Sequence, residues 1–248
     1  MRAVILAAGR GSRLGPYTVD RPKCLVELRG RSLLDRQVSA LRAAGAEEVA
    51  VVAGWRGELF AGRGLTVFVN ERWAATTMVE SLATAASWLR AGPVLVSYGD
   101  IVYSAATARA LASAGQELAI AYDPGWRELW ERRFDAPLDD AETFRLDHRG
   151  LLAEIGGRPA SAAEVQGQYL GLLRFTPSAW ALVERVLRTE SAVRGADMTG
   201  LLRFLLRAHG VEIGAVPVSG PWCEFDHPGD VEVGYGVLDE LDRAEAQA

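Results

Sequence analysis

The sequence predicts an α/β fold: a Rossmann-like, mainly parallel mixed sheet flanked by helices, with an inserted substrate-binding subregion. Three observations point there. Through the first half of the chain, short β-branched runs alternate with amphipathic stretches, the rhythm of βαβ units. The runs Val4-Ile5-Leu6 and Val94-Leu95-Val96 are apolar without a break, as strands buried on both faces are. The stretch from Asp123 to Gln168 leaves that rhythm and is rich in Trp, Arg and acids.

Taken in order, the first strand is predicted at Arg2–Ala7, and a glycine-rich loop follows it. An amphipathic helix is expected over Ser32–Ala44, then strands at Glu48–Ala53 and Leu65–Asn70 and a helix over Thr77–Leu89. The run at Val94–Tyr98 forms the fourth strand, and Ala105–Ala114 a helix leading to a strand at Glu117–Asp123. Turn signals at Asp123-Pro124-Gly125 and Gly156-Gly157 bracket a hairpin, Thr143–Asp147 with Leu151–Ile155, built around His148-Arg149-Gly150. After it come a strand at Gln168–Phe175, helices at Pro177–Leu187 and Ala196–Ala208, a strand at Glu212–Val218 and a last helix at Pro228–Ala246. We read residues 1–248 as one domain in which the segment of about 123–168 is an insertion closing over the end of the sheet. Ligands of open parallel sheets sit beyond the carboxyl ends of the strands, so the informative motifs should follow strands.

Composition excludes several classes. The chain is 49% hydrophobic and 24% charged, an ordinary globular balance. A net charge of -5 with no basic block argues against nucleic-acid binding. No apolar run reaches the ~18 residues of a membrane helix, so no membrane partner is expected. Met1-Arg2 and the apolar run after it are too short for a signal peptide, with Arg10 and Arg13 following at once. Two cysteines, Cys24 and Cys223, make no disulfide framework, which favours a cytoplasmic location. Zinc on Cys24, Cys223 and His227 lacks any C-x-x-C pair. His148 and His209 carry no motif. Of the 27 Lys and Arg residues, 26 are Arg, leaving Lys23 as the one lysine.

The loop Leu6-Ala7-Ala8-Gly9-Arg10-Gly11-Ser12-Arg13-Leu14 brings small residues and glycines to where backbone N–H groups can approach a phosphate chain. Arg13 adds a fork for phosphate oxygens. Asp20-Arg21-Pro22-Lys23-Cys24-Leu25 returns a second cation toward the same place. A Walker loop is absent, because no Lys-Ser/Thr closes the glycines. A dinucleotide fingerprint is disfavoured: glycines 9, 11 and 15 are one residue too widely spaced, and Ala53-Gly54-Trp55 stands where the ribose acid belongs. On Gly9 and Gly11 alone, a plain tight strand–helix turn explains the loop as well.

The whole pattern is more specific. Leu6 to Leu14, followed by Arg21-Pro22-Lys23 and Leu25, resembles the signature of nucleotidyltransferases that activate sugar phosphates and related small phosphates. The resemblance implies a nucleotide site at Leu6, Ala7, Ala8, Gly9, Gly11, Ser12 and Arg13, with Arg13 and Lys23 neutralising phosphates. Nucleotidyl transfer calls for a divalent cation, Mg2+ being the one expected, and magnesium takes one or two carboxylates. The fourth strand ends in Asp100, where the family carries a metal aspartate; a solvated strand-end acid is the competing reading. In Trp222-Cys223-Glu224-Phe225-Asp226, alternation puts Glu224 and Asp226 on one side. The family's second metal acid lies here, with Asp226 the first choice and Glu224 the second. Helix capping ahead of Pro228 is the alternative role for Asp226.

One branch is resembled over nearly the full length, that of phosphocholine and phosphonate cytidylyltransferases. Asn70-Glu71-Arg72-Trp73, Thr76 to Leu82, Gly167-Gln168-Tyr169 with Gly171-Leu172, and Trp222 to Asp226 fit it. So does the series Asp123, Trp126, Trp130, Arg133, Pro137, Asp140, Ala141, Glu142 and Phe144. The resemblance implies CTP as donor and base or ribose contacts at Thr77 and Ser81, although the branch often has Asn where Thr77 stands. The insertion then binds the acceptor. Trp126 and Trp130 share a helical face and, with Asp123 and Glu142, could surround an amine or quaternary ammonium. Tyr169 belongs to the same set, and Arg132 and Arg133 are candidates for the acceptor's phosphate or phosphonate. Core packing of the two tryptophans is the equal alternative.

The expected activity is transfer of CMP from CTP to a small phosphate or phosphonate acceptor. A sugar-1-phosphate nucleotidylyltransferase using UTP, dTTP or GTP and a non-catalytic nucleotide-binding module are the alternatives. A homodimer is compatible with either.

Overall fold

The chain, as a computed structural model, is described for residues 1–218 and 220–247. It opens with β1 (Arg2–Ala7), followed by short 3-10 turns at Ser12–Thr18 and Lys23–Leu25 and a two-rung ladder, β2 (Glu27–Leu28) and β3 (Arg31–Ser32). Then come α1 (Leu33–Ala43), β4 (Glu48–Ala53), β5 (Thr66–Val69), α2 (Met78–Ala83), α3 (Ala86–Ala91), β6 (Val94–Tyr98), β7 (Ile101–Tyr103), α4 (Ala105–Ala112) and β8 (Leu118–Asp123). The segment predicted as an insertion holds α5 (Trp126–Arg133), α6 (Pro137–Asp140) and the hairpin β9 (Phe144–Leu146) and β10 (Leu152–Ile155). The chain returns through β11 (Gln168–Phe175), α7 (Pro177–Thr189), α8 (Ser191–Arg194), α9 (Met198–His209), β12 (Ile213–Pro217), β13 (Trp222–Glu224) and α10 (Pro228–Ala246).

Seven strands form the central sheet in the order β12-β8-β11-β6-β1-β4-β5. β1 pairs in parallel with both β4 and β6, and β11 runs antiparallel between β6 and β8. The sheet is therefore mixed and mainly parallel, as expected. Alternation along β1 sends Ala3, Ile5 and Ala7 to one face and Val4, Leu6 and Ala8 to the other. The first face is covered by α1, α4, α5 and α10 through Leu34, Leu111, Trp130 and Leu238. The second is covered by α2, α3, α7 and α9 through Leu82, Leu89, Trp180 and Leu201. Each such fully buried side chain contributes roughly 1.5–3 kcal/mol before chain entropy is charged. Double-sided burial explains why β1, β4 and β6 read as unbroken apolar runs. Among the described residues, no helix is long and apolar enough to cross a membrane.

β1, β4, β6, β11 and α10 have the bounds read from sequence. The predicted Thr77–Leu89 helix is instead two helices. The Thr84 hydroxyl bonds back to the Ser81 carbonyl at 2.7 Å, and the Ala85 amide reaches Leu82 at 3.0 Å, tightening the chain between α2 and α3. The long α10 crosses back over α1: Arg36 pairs with Asp242, and Arg31 reaches Glu245 at 2.5 Å.

β11 carries a bulge between Tyr169 and Leu173, where its register against β8 shifts. Gly171 sits in it at φ +88°, and a Cβ there would lie 2.5 Å from the Tyr98 ring. Both the left-handed backbone and the close ring exclude a side chain. Gly171→Ala is expected to lose at least about 2 kcal/mol of stability, read as a lower urea midpoint at unchanged slope.

Candidate active site

The carboxyl ends of β1 and β6 lie side by side, and the segments leaving them build the site. The loop after β1 turns at Gly11, which has φ +67°. A Cβ on Gly11 would meet Lys23 Cβ at 2.9 Å and Cε at 3.0 Å, so the glycine lets the lysine stem lie directly beneath the loop. The Gly11 carbonyl accepts from the Leu14 amide at 3.2 Å and the Thr18 hydroxyl at 2.9 Å, which fixes the loop's far side. Leu6, Ala7 and Ala8 are buried at its root, whereas Gly9, Ser12 and Arg13 face solvent. A cavity of about 180 Å3 opens here, with Leu6, Gly9, Gly11, Arg13, Lys23 and Asp100 in its wall.

β7 and β13 bring the acids to this place. Neither strand is evident in the sequence, but they pair antiparallel with Glu224 opposite Ile101. The Phe225 amide adds a bond to the Asp100 carbonyl at 2.8 Å. Asp100 and Asp226 therefore meet, although they are far apart in the chain. Gln37 of α1, buried, donates to the Tyr98 carbonyl at 2.7 Å and also to that of Ile101, clamping the turn that carries Asp100.

Between the two carboxylates stands the ammonium of Lys23. Its Nζ lies 2.9 Å from Asp100 Oδ2 and 2.6 Å from Asp226 Oδ1, and the side chain is only 9% exposed. Burial works against the charged form, but the two carboxylates outweigh it, and the Lys23 pKa is raised. Arg13, 70% exposed, reaches the other Asp226 oxygen at 2.8 Å. Asp226 thus serves both cations, and its expected alternative as a helix cap falls to Asp230. Asp230 Oδ2 accepts from the Asp226 and His227 amides, each at 2.8 Å.

The site suits a divalent cation. Asp100 Oδ1 is buried and has no hydrogen-bond partner among the described residues, and two hard carboxylates already converge on one cation there. Asp100 and Asp226 are the side chains that could hold it. Glu224 stands apart: its Oε2 accepts from Arg133 Nη2 at 2.9 Å. Burial, with help from Asp100 and Asp226 and against Arg133, pushes the Glu224 carboxyl up to about 7. Cys24 and Cys223 are buried free thiols, and burial raises the pKa of both.

The residues expected to meet the acceptor divide into two groups. Glu142 and Tyr169 lie near one another, beside Tyr98. The Glu142 main chain is held by the Gln168 amide, its N–H donating to Oε1 at 3.1 Å and its carbonyl accepting from Nε2 at 2.7 Å. Burial and then Asp197 raise the Glu142 pKa, opposed by Arg203 and Thr199. The Tyr98 and Tyr169 rings meet edge to face at 5.8 Å.

The aromatic pocket expected from Trp126, Trp130 and Asp123 is not formed. Trp126 and Trp130 are 5% and 4% exposed. Their indole N–H groups bond to the Val165 carbonyl at 3.2 Å and to Asp140 at 3.0 Å. Asp123 accepts from the Gly125 amide at 2.7 Å and the Trp222 indole at 2.8 Å. These residues knit the insertion to the sheet, because buried indoles need both apolar cover and an acceptor. Arg133 is likewise buried, at 1% side-chain exposure, and is not open to an acceptor's phosphate. Thr77 and Ser81 have their hydroxyls engaged inside the fold. Thr77 caps α2 in a capping box with Glu80, and Ser81 accepts from Asn70 at 2.9 Å while donating to the Thr77 carbonyl at 3.0 Å.

A glycine-rich loop, two cations and a carboxylate pair at the end of a mixed sheet are groups suited to phosphate and a divalent cation. The profile of the MobA-like NTP transferase domain matches residues 3–209. The chain belongs to that family. It is therefore a nucleotidyltransferase, and its relatives narrow the chemistry. It is 34% identical to the CTP:phosphoglutamine cytidylyltransferase of Campylobacter jejuni, over 94% of this chain and 98% of that one. It is 31% identical to the 2-aminoethylphosphonate cytidylyltransferase of Lancefieldella rimae, over 62% of this chain and 60% of that one. Its fold is similar to the inositol-1-phosphate CTP transferase of T. maritima, with TM-score 0.76 at 17% identity, covering 97% of this chain and 96% of that one.

The reassignment of the tryptophans is testable by stability. Trp130→Ala is expected to cost about 3–5 kcal/mol, measured by chemical denaturation. A change below about 1 kcal/mol would return Trp130 to a ligand-facing role.

Proposed function

We propose that this nucleotidyltransferase transfers CMP from CTP to a small phosphorylated or phosphonate acceptor whose other end carries an amine or amide, with release of pyrophosphate. The observation that carries the transfer chemistry is the ammonium of Lys23 bridging Asp100 and Asp226 beneath the glycine loop. The choice of CTP and of acceptor class is supported by the full-length similarity to the phosphoglutamine enzyme. The two buried free thiols support a reducing, cytoplasmic setting.

An acceptor phosphate oxygen attacks the α-phosphorus in line. Its second pKa is about 6, so it is anionic near neutral pH and needs no general base. Catalysis is then alignment and charge stabilisation. The loop amides from Gly9 to Arg13 face the phosphate chain. Lys23, with its stem pinned beneath Gly11, supplies a compact ammonium whose three donors can follow a phosphate as geometry changes. Arg13, exposed and forked, supplies the outer contact. Mg2+, when bound, would be held by Asp100 and Asp226 and would screen the negative charge that builds on the triphosphate. Glu142 and Tyr169 are the candidates to receive the acceptor's amine or amide.

Two measurements test this reading. Pyrophosphate release with CTP and Mg2+ should be fastest with phosphoglutamine, phosphocholine or 2-aminoethylphosphonate as acceptor. Faster release with UTP and glucose 1-phosphate would overturn it. Lys23→Ala and Lys23→Arg should each lower kcat by about 10²–10³ with the fold retained by circular dichroism, since a preorganised charge is lost or misplaced. Parental turnover in both would remove Lys23 from the reaction. Binding should also show in melting: CTP with Mg2+ at about 100 times Kd adds ~2.7 kcal/mol of stability and raises Tm, and the other three nucleotides should do less.

A further inference from the structure

Arg133 is buried yet charged, and its three donor contacts go to the carboxylates of Asp230 and Glu224. Its Nε donates to Asp230 Oδ1 at 2.9 Å, and its Nη2 donates to Asp230 Oδ2 at 3.2 Å and to Glu224 Oε2 at 2.9 Å. Trp130 and Phe134 lie against the guanidinium carbon, with ring centroids at 5.1 and 4.9 Å. Asp230, only 2% exposed, spends its Oδ2 on the main-chain amides of Asp226 and His227. An unbroken chain of contacts therefore runs from the insertion, through Asp230, to the backbone of the residue whose carboxylate holds both Lys23 and Arg13.

We infer that Arg133 is a positioning residue for transfer: through Asp230 it fixes the peptide at Asp226 and so the place of that carboxylate. The inference rests on the nucleotidyl-transfer reading of the site. The chemistry favours arginine. Only a planar guanidinium can set two donors on one carboxylate and share a third contact with a second. Its two bonds to Asp230 and the two amides that Asp230 accepts leave that carboxylate with four donors, which fixes its place. The Asp226 amide itself is held by Asp230, whereas the Phe225 amide, bonded to the Asp100 carbonyl, anchors the preceding residue. Partners of metal-holding carboxylates have effects of about 10–100-fold on metal affinity or activity.

The test compares Arg133→Lys and Asp230→Asn with the parent. The lysine keeps the charge without the fork, and the asparagine keeps an oxygen for the amides without the charge. Mn2+ binding in the presence of CTP, followed by electron paramagnetic resonance, is expected to weaken about 10–100-fold in both. In steady-state assays kcat should fall with the acceptor KM close to parental. A folded Arg133→Lys with parental kcat and Mn2+ affinity overturns the inference. So does a raised acceptor KM at unchanged kcat, which would make Arg133 a direct acceptor contact. If both variants fail to fold, hydrogen exchange on the parent decides: the Asp226 and His227 amides should be as protected as those of β13, and free exchange there overturns the inference. A parent that binds Mn2+ with CTP but turns over no acceptor would instead defeat the acceptor assignment, leaving the binding and exchange measurements to judge Arg133.

Discussion

Two carboxylates held together at the end of a buried sheet repel one another and resist desolvation, and a single cation between them is what makes the arrangement tenable. Lys23 is that cation. The surrounding structure can be read as the set of conditions for it. Gly11 has no Cβ because the lysine stem occupies that space. Gln37 grips the turn that presents Asp100, and the β7–β13 ladder places Asp226 opposite it. Asp230 holds the peptide at Asp226 from behind. Groups from both ends of the chain thus converge on one ammonium.

The segment read from sequence as an insertion packs beside this centre. Trp126 and Trp130 meet edge to face, Trp130 also lies tilted against Trp222, both with ring centroids near 6 Å, and the indoles of Trp126 and Trp130 each have their own acceptor. Such a wedge is stiff, because an indole that is both packed and hydrogen-bonded has little freedom left. Stiffness lets α5 offer Arg133 to the carboxylate network at a defined place. The edge around Glu142 and Tyr169 is less tightly filled; there the main chain is tied down by Gln168, and the carboxyl of Glu142 keeps a raised pKa.

Much of this was legible in the sequence, and the rest was not for identifiable reasons. Strands buried on both faces announce themselves as apolar runs, so β1, β4 and β6 were read with their bounds. The loop and Lys23 stood out through their resemblance to the nucleotidyltransferase signature, since the glycines alone fitted a plain tight turn equally well. Asp100 and Asp226 were singled out by the same resemblance, their places after strands being compatible with it. The short β7 and β13 left no trace, since three residues cannot display a period. Trp126 and Trp130 illustrate the limit of pattern: helical spacing shows that two rings share a face but not whether that face meets ligand or core. Arg133 was misplaced for the same reason, its charge suggesting solvent and phosphate when its partners were Asp230 and Glu224. Asp230 did carry a signal, as an acid in the first turn after Pro228, where capping boxes occur. Gln37 carried none.

The lone lysine among 26 arginines acquires a physical meaning in this setting. The space beneath Gly11 is narrow: a Cβ on that glycine would already touch the lysine stem at 2.9 Å. A guanidinium is planar, broader and rigidly forked, and it pairs best when carboxylate oxygens meet it edge on. Here two oxygens from different residues approach one nitrogen, at 2.9 and 2.6 Å, which is the geometry of a compact point charge. Arg13 takes the complementary position, outside and exposed, where a fork has room. The division of labour between the two cations is therefore set by space: the buried position between the carboxylates demands an ammonium, and the rim accepts a guanidinium.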